Sequence, residues 1–443
     1  MLKAERKKNL GLFDLIAIST GQVIGVGVVT IIGLAITATG MSAWLAFGVS
    51  VVLGLISIVP FIFLSSTVVL KGGEYTIVLN MLGEKAAGVY AVAFTIQCLS
   101  LSLMGASMGS YIVSVFPQVN AQLASILAIT FFYGLNLFGV RVMVGIQRVL
   151  TSILILALAT FVFFGLPKVS GATFAIGSPE FFQDGFGGFM NAVSLYAYST
   201  YGQYMVINFS KDAKRPTRDI PLAILITTGI IFLLYMSVAI VPCGVLPLEM
   251  VAGQPLTLAA KEVLKGALFP IFIICGPFMA LATTLNAIYG ARANPLLRAA
   301  EDGWFPAVMA RCNKRKVPYV IMTIIYLIGL IPLLCNLSIK TITNNLVLVG
   351  YLIRLVAAAA IIRLPVLFKE QWKKSFLHVP DPLFYAIMAL AILAQIYLVY
   401  LSLRQLPPLI SALNIGFIVL CGIYALLRHR RGKVHIQSKI TLE

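Results

Sequence analysis

A glycine cluster is the first stretch whose residue types could do chemistry, and it lies in an apolar run from about residue 12 to residue 39. Gly21, Gly25 and Gly27 stand close together, and each glycine costs about 1 kcal/mol relative to alanine inside a helix. In a bilayer such residues either let helices pack closely or break a helix that lines a cavity. A break would expose peptide N–H groups, which bind anions, and C=O groups, which bind cations.

A second interruption is predicted in the sixth apolar run, at about residues 186–209. Its centre is the polar stretch Tyr198–Tyr204, which contains Gly202. Polar residues at mid-membrane are costly unless they face a cavity. Interruptions at corresponding places in two halves of a chain indicate a transport site between inverted repeats. Because the two interrupted runs begin five spans apart, the cavity interpretation is favoured over packing alone for Gly25 and Gly27.

Two broken helices that face each other would suit a zwitterion. A free amino acid carries a carboxylate, for which the N–H groups of residues 26–28 are the predicted partners. Its α-amine would lie on carbonyl groups near Val23–Ile24 and Tyr198–Ser199. Gly25 and Gly27 would leave room for close approach of the ligand to the backbone.

Groups that could carry out catalysis or bind a metal are not clustered in the sequence. All fifteen acids fall in loops or at the ends of apolar runs, and Asp14 is the deepest of them. The three histidines lie outside the apolar runs, and the six cysteines form no CxxC pair. This distribution argues against a membrane hydrolase or metalloenzyme. We therefore predict no catalytic residue, no metal site and no cofactor.

The composition predicts which kind of secondary structure positions the two breaks. The 443 residues are 60% hydrophobic and only 11% charged, and the mean hydropathy is +0.98. Soluble domains are about half apolar and a quarter charged, so the sequence predicts an all-α polytopic membrane protein. Continuous rather than alternating apolar runs exclude a β-barrel.

The net charge of +18 has a topological explanation. Of the 33 Lys and Arg residues, 27 fall at the two termini or in loops after even-numbered runs, five fall on the opposite side, and Arg354 lies inside a run. This bias predicts an even number of spans in the cell membrane with both termini in the cytoplasm. The basicity then serves topology and anionic lipid, and nucleic acid is not a predicted partner.

About twelve transmembrane helices are predicted, in one transporter domain covering residues 1–443. Spans 1–5 form repeat A, at about residues 10–167, spans 6–10 form repeat B, at about residues 186–366, and two helices are appended at about residues 382–428. The halves must have opposite orientations because an odd number of crossings separates their starts. The apolar runs lie at about residues 12–39, 43–70, 87–115, 121–139, 145–167, 186–209, 219–246, 267–293, 317–336, 341–366, 382–403 and 407–428.

The sequence resembles the amino acid–polyamine–organocation (APC) superfamily of permeases over roughly residues 8–370. Residues 21–28 (GQVIGVGV) resemble the G-x-x-I-G-x-G motif of span 1 in that family. Residues 71–75 (KGGEY) resemble the G-G-E-Y after span 2, residues 201–221 resemble span 6 with its tail, and residues 285–306 resemble the end of span 8. The resemblance implies a five-plus-five inverted repeat with broken helices 1 and 6 (LeuT-like), alternating access, and transport of amino acids or related amines.

The resemblance also implies a substrate site. Tyr198 matches an aromatic residue that stacks on substrate in exchangers of the family, and Ile288 and Tyr289 lie where span 8 contributes contacts. The residues that we predict to bind substrate are Val23, Ile24, Gly25, Val26, Gly27, Tyr198, Ser199, Thr200, Tyr201, Gly202, Ile288 and Tyr289.

Gate or coupling candidates depart from the family pattern. Many relatives have Glu where this chain has Tyr204, and an aromatic gate where it has Thr200. Gln97 either faces the pocket or links helices. Arg354 either snorkels to the surface or serves as a gate or a contact for a second carboxylate, with Asp14 as a possible partner. Asp14 is also typical of a helix start.

No fixed ammonium or carboxylate takes an obvious place for a coupling proton. The sequence therefore favours an exchanger or uniporter for neutral or polar amino acids, with the lipid bilayer and a small amino acid or amine as its partners. A proton-coupled symporter of amino acids or amines is the alternative within transport. A non-transporting membrane sensor or scaffold is the alternative of another class, which retention of two costly helix breaks disfavours.

Overall fold

The computed structural model of the chain describes residues 10–25, 31–197, 199–200 and 202–438, with the backbone alone described at residues 114, 115, 340, 344 and 405. Within these residues the regular structure is helical, and the single β-bridge, between Leu10 and Ala213, is isolated. The predicted all-α class is thus confirmed.

The described part of repeat A, as that repeat is predicted from the sequence, contains eight α-helices. Its third span continues from α5 to α6 through a 3₁₀ helix at Phe94–Leu99. The helices are α1 (Leu12–Val23), α2 (Ile32–Thr39), α3 (Ala43–Thr67), α4 (Gly73–Leu82), α5 (Glu84–Ala93), α6 (Ser100–Val115), α7 (Ala121–Asn136) and α8 (Val140–Gly165).

The residues described after repeat A contain twelve further α-helices. They are α9 (Gly185–Ala197), α10 (Pro216–Val245), α11 (Leu248–Val251), α12 (Thr257–Val263), α13 (Leu268–Ile273), α14 (Met279–Glu301), α15 (Tyr319–Leu334), α16 (Ile339–Ala360), α17 (Leu364–Leu367), α18 (Lys369–Lys374), α19 (Asp381–Gln405) and α20 (Pro408–Arg430). Two short ones, α11 and α12, lie in the connection between the seventh and eighth runs.

Length and composition identify the segments that could cross a bilayer. Eight helical segments of the described residues suffice on both counts, and the first of them, Ile32–Thr67, joins α2 to α3. Three shorter apolar helices, α1, α7 and α15, accompany them. This is a polytopic membrane protein, and the count of twelve spans stays a prediction.

The first and sixth spans are both interrupted. In the first, α1 ends at Val23 and the chain is helical again by Ile31. In the sixth, α9 ends at Ala197 and a 3₁₀ helix runs from Gly202 to Asp212. The interruptions predicted from the glycine clusters are therefore present, and each divides its span into two shorter helices.

Helices of the two predicted repeats pack against each other in matched pairs. α3 packs on α10, α7 on α15, α2 on α9, and α1 on the 3₁₀ helix at Gly202–Asp212. α6 packs on α16, and α8 packs on α14. If each span of one repeat is exchanged with the span five places along in the predicted order, each of the first four pairs maps onto itself. The last two pairs map onto each other.

The end of α14 is joined to the segment that follows α20. Asp302 is fully buried, and its carboxylate accepts hydrogen bonds from the Tyr75 hydroxyl (2.7 Å), the Gln437 N–H (2.8 Å) and the Ser438 hydroxyl (2.9 Å). Burial raises the pKa of Tyr75 above its ordinary range, and the adjacent Asp302 charge raises it further. The phenol therefore remains a donor at any physiological pH.

We expect Asp302→Asn to release this segment. The amide would turn an N–H₂ group towards donors that now face a carboxylate oxygen, which costs about 1–3 kcal/mol. Tryptic cleavage after Lys433, whose side chain is already exposed, should accelerate by about tenfold in the purified protein. The exposed Asp184 gives a matched Asp→Asn control, and equal cleavage rates in the two variants would contradict the role of Asp302.

Candidate functional site

The broken end of α1 is supported by side chains from α10 and α14. The helix stops because Ile24 adopts an extended backbone conformation, with φ −78° and ψ 100°. Its last carbonyls then have no partner within the helix. The Tyr235 hydroxyl donates to the Val23 carbonyl (3.0 Å), and the Thr284 hydroxyl lies 2.9 Å from the Gly21 carbonyl and 3.3 Å from that of Ile24. These contacts supply hydrogen bonds that lipid could not.

The break in the sixth span lies directly against that end. A turn follows α9, in which the Ser199 N–H donates to the Tyr196 carbonyl (2.8 Å). Gly202 opens the 3₁₀ helix, and a Cβ atom there would lie only 2.6 Å from the Gln22 carbonyl oxygen. Glycine is required because the two broken spans are in backbone contact at this point.

A cavity lies beside the two breaks and is closed by the third, eighth and tenth spans. The space in this cavity, its open mouth included, is about 790 Å³. The lining residues are Gln22, Val23, Gly25, Gln97, Ser100, Met104, Ser199, Gly202, Tyr204, Met205, Thr284, Ile288, Arg292, Leu346, Val347, Gly350 and Arg354.

The charged residues in this lining are both arginines. Arg292 is 4% exposed, and its guanidinium lies 5.6 Å from the centre of the Phe94 ring. Arg354 is 2% exposed and lies 5.0 Å from the Tyr351 ring and 6.0 Å from that of Tyr204. Among the residues that the structure describes, no Asp or Glu lines the cavity. Its wall is therefore electropositive.

A buried carboxylate lies just behind this wall. Glu74 is 1% exposed and accepts hydrogen bonds from Tyr90 (2.6 Å), Asn208 (3.1 Å) and Tyr204 (3.4 Å). Gly73 precedes it with a φ of +54°, a conformation that favours glycine, and a side chain there would overlap the Asn208 amide. The Gly-Gly-Glu-Tyr motif thus fixes α4 to the 3₁₀ half of the sixth span.

Eight of the sequence-predicted residues line the cavity, and they come from five different spans. Four others lie outside the described residues, namely Val26, Gly27, Tyr198 and Tyr201. The eight that line it are Val23, Gly25, Gln97, Ser199, Gly202, Ile288, Tyr204 and Arg354.

Four predicted residues, Ile24, Thr200, Tyr289 and Asp14, do not reach the cavity. Ile24 is fully buried in the core. The Thr200 hydroxyl is 3.1 Å from the Ser50 carbonyl. The Tyr289 hydroxyl donates to the Ile129 carbonyl (2.9 Å), on the side of α14 that carries neither Thr284 nor Ile288.

Asp14 belongs to the start of α1. Its carboxylate accepts from the Gly11 N–H (3.0 Å) and forms a salt bridge with Arg148 (3.0 Å). The suggested pairing with Arg354 is therefore replaced by a helix-start role, which was the other interpretation of this residue.

Sequence reasoning missed nine lining residues, and Arg292 is the most consequential. By its charge Arg292 was counted with the loop after the eighth run, at whose end it stands, whereas α14 continues to Glu301 and buries it. One signal was available: Thr284, Ile288 and Arg292 recur every four residues, so they share one helix face. The other eight are Gln22, Ser100, Met104, Met205, Thr284, Leu346, Val347 and Gly350.

Comparison with known proteins identifies several transporters. The chain is 24% identical over 374 residues to the inner membrane transport protein YbaT of Escherichia coli, covering 79% of this chain and 83% of that protein. It is 22% identical over 339 residues to the branched-chain amino acid permease BcaP of Bacillus subtilis, covering 71% and 72%. A methylthioribose transporter of the same organism is 22% identical over 337 residues, covering 70% and 71%. The names of the two Bacillus subtilis relatives state different substrates.

The sequence profile described as amino acid permease matches residues 10–427, which is nearly the whole chain. The matched region contains both helix breaks and every residue that lines the cavity. These matches indicate an amino-acid transporter rather than an enzyme. The chain belongs to the amino acid permease family of the APC superfamily.

Proposed function

We propose that this protein is an alternating-access exchanger or uniporter that carries amino acids with neutral or polar side chains across the cell membrane. The observation that carries the proposal is the meeting of two broken spans beside one cavity. Open backbone within a membrane is costly unless it lines such a space. Two helix breaks at one cavity supply N–H and C=O groups for the two charges of a zwitterion.

The proposed mechanism rests on two inverted repeats, with α1–α8 in the first and α9–α16 in the second. The matched packing of α3 on α10, and of α6 on α16 with α8 on α14, supports this relation. Rocking of one repeat relative to the other would open the cavity first to one side and then to the other. Both termini then lie in the cytoplasm, which the distribution of Lys and Arg favours.

The α-amine and α-carboxylate are assigned to opposite sides of the breaks. Val23, Gly25 and Ser199 line the cavity at the C-terminal ends of α1 and α9, where carbonyl groups attract a cation. The carboxylate is assigned from the sequence to the N–H groups of residues 26–28, which lie outside the described residues. The missing side chain of Gly25 leaves the space that a bound head group needs.

The absence of a titratable partner favours exchange or uniport. Among the described lining residues there is no Lys, His, Asp or Glu, and a guanidinium does not release its proton. Glu74 is the nearest candidate proton carrier, and three hydrogen bonds hold it behind Tyr204. Proton symport through Glu74 is the second candidate, and the transport assay below separates the two.

We expect liposomes that contain the purified protein to take up a labelled amino acid when unlabelled amino acid is inside. For an exchanger, internal substrate should raise the initial rate by about tenfold, because only a loaded carrier reorients quickly. For a uniporter the rate should be unaffected by internal substrate. In both cases an imposed pH gradient should have no effect.

The same assay contains the outcomes that contradict the proposal. Uptake driven by an acidic exterior would assign proton symport. Thermal stabilisation of the purified protein by amino acids, with no flux under any gradient, would assign a sensor. Liposomes without protein give the background rate.

A single methyl group at the contact between the breaks should impair transport. Gly202→Ala would place a Cβ atom 2.6 Å from the Gln22 carbonyl oxygen, and overpacking of this kind costs about 1–3 kcal/mol. We expect the initial rate of uptake to fall by about tenfold or more, with the protein still monodisperse. Gly134→Ala is the control, because a Cβ at Gly134 meets nothing within 4 Å. A fully active Gly202→Ala protein would show that the breaks need not touch.

A further inference from the structure

We infer that the cavity has a second subsite, formed by Arg292 and Arg354, which binds an anionic group on the substrate's side chain. The preferred substrates are then acidic amino acids, whose side chains end in a carboxylate. The inference rests on the proposed transport function, and it replaces neutral or polar side chains with acidic ones as the preferred substrate class. It also answers why a transport cavity should contain two arginines.

Burial of two positive charges in a membrane protein is costly. Guanidinium groups stay protonated in proteins, and both side chains are more than nine-tenths buried. Charges at membrane depth are expensive and almost always face a cavity or a functional partner. The aromatic faces of Phe94, Tyr351 and Tyr204 offset part of that cost. Because an aromatic face carries no net charge, it does not neutralise a guanidinium.

A buried guanidinium needs a charge that balances it. Glu74 is the buried acid on this side of the cavity, and its oxygens accept from Tyr90, Tyr204 and Asn208. The ion pairs of the described residues do not include Arg292, for which no carboxylate oxygen lies within 4.0 Å. The Nε atom of Arg292 is buried and has no hydrogen-bond partner. A ligand anion in the cavity would supply both the charge and the acceptor.

Arg292 lies on the same helix face as a residue that contacts the broken end of α1. Thr284, Ile288 and Arg292 follow one face of α14, and Thr284 contacts the carbonyls at the break in span 1. Arg292 lies eight positions after Thr284, which is about 12 Å along the helix axis. Helical side chains lean towards the N-terminus of their helix, so the guanidinium reaches back towards the break.

Arg354 has the corresponding place on α16, where Leu346, Gly350 and Arg354 lie on the cavity side. Its guanidinium lies over Tyr351, three residues earlier, which shows the same backward lean. The lining of the cavity therefore has two chemically distinct parts. One part is the open backbone at the two breaks, which would hold an amino acid head group, and the other is the two guanidiniums, which would bind a carboxylate through charge-assisted hydrogen bonds.

The test is competition by acids and their matched amides in the liposome assay. Glutamate and aspartate should compete for uptake at concentrations about tenfold below those of glutamine and asparagine, because a charge-assisted hydrogen bond is roughly twice as strong as a neutral one. Lysine and arginine should compete poorly. Amides that compete as well as the acids, or better, would overturn the inference.

Substitution then locates the preference. In Arg354→Gln and in Arg292→Gln, the ratio of acid to amide affinity should fall by about tenfold, and Arg→Lys at either position should retain part of it because the charge remains. Arg311→Gln is the control, since Arg311 is exposed and does not line the cavity; its ratio should equal that of the unmodified protein. A preference that survives both Gln substitutions would also overturn the inference.

The design separates this inference from the proposal on which it depends. Transport of neutral amino acids without preference for acids would retain the transporter and remove the anion subsite. Flux of no amino acid at all would remove the proposed function itself. If either Gln variant fails to fold, by size-exclusion chromatography and melting temperature, the acid-to-amide ratio of the unmodified protein decides the question.

Discussion

The constraint on which the rest of the structure depends is that backbone polar groups inside a membrane must be satisfied by the protein. Lipid offers no hydrogen bonds, and each unsatisfied group costs several kcal/mol. Two spans of this chain nevertheless open at Val23 and at Ala197. Hydroxyl groups of Tyr235 and Thr284 cap the opened end of α1. The surrounding helices are thus placed where the breaks require donors.

A second polar network extends from the cavity towards the end of α14. Arg354 lies over the Tyr204 ring, and the Tyr204 hydroxyl is 3.4 Å from Glu74. The next residue, Tyr75, donates to Asp302, which also holds the segment after α20 through Ser438. Adjacent residues of α4 therefore bind two different partners. This continuity gives the first turn of α4 a structural reason to carry a charged residue next to a tyrosine.

Burial of charge decides which part of the chain can specify a ligand. Two relatives carry names with chemically different substrates, a branched-chain amino acid and methylthioribose, so the helix breaks by themselves do not specify a ligand. Charged residues at the cavity wall are suited to that task. Arg292 and Arg354 are such residues, since an always-charged group in a buried wall discriminates strongly between anionic and cationic ligands.

The sequence by itself determined the class of protein, the two helix breaks and about half of the cavity. Apolar runs set the helices because only helices satisfy the backbone in lipid without a closed barrel, and glycine clusters such as Gly25 and Gly202 marked where they open. Only the tertiary structure decided which face of each helix meets the cavity. Tyr289 and Ile288 are neighbours in sequence, yet only Ile288 lines it, because consecutive helical residues point about 100° apart. Arg292 was counted with a loop by its charge, yet it lines the cavity. The end of α14 depends on contacts with distant segments, which hydropathy along the chain does not record.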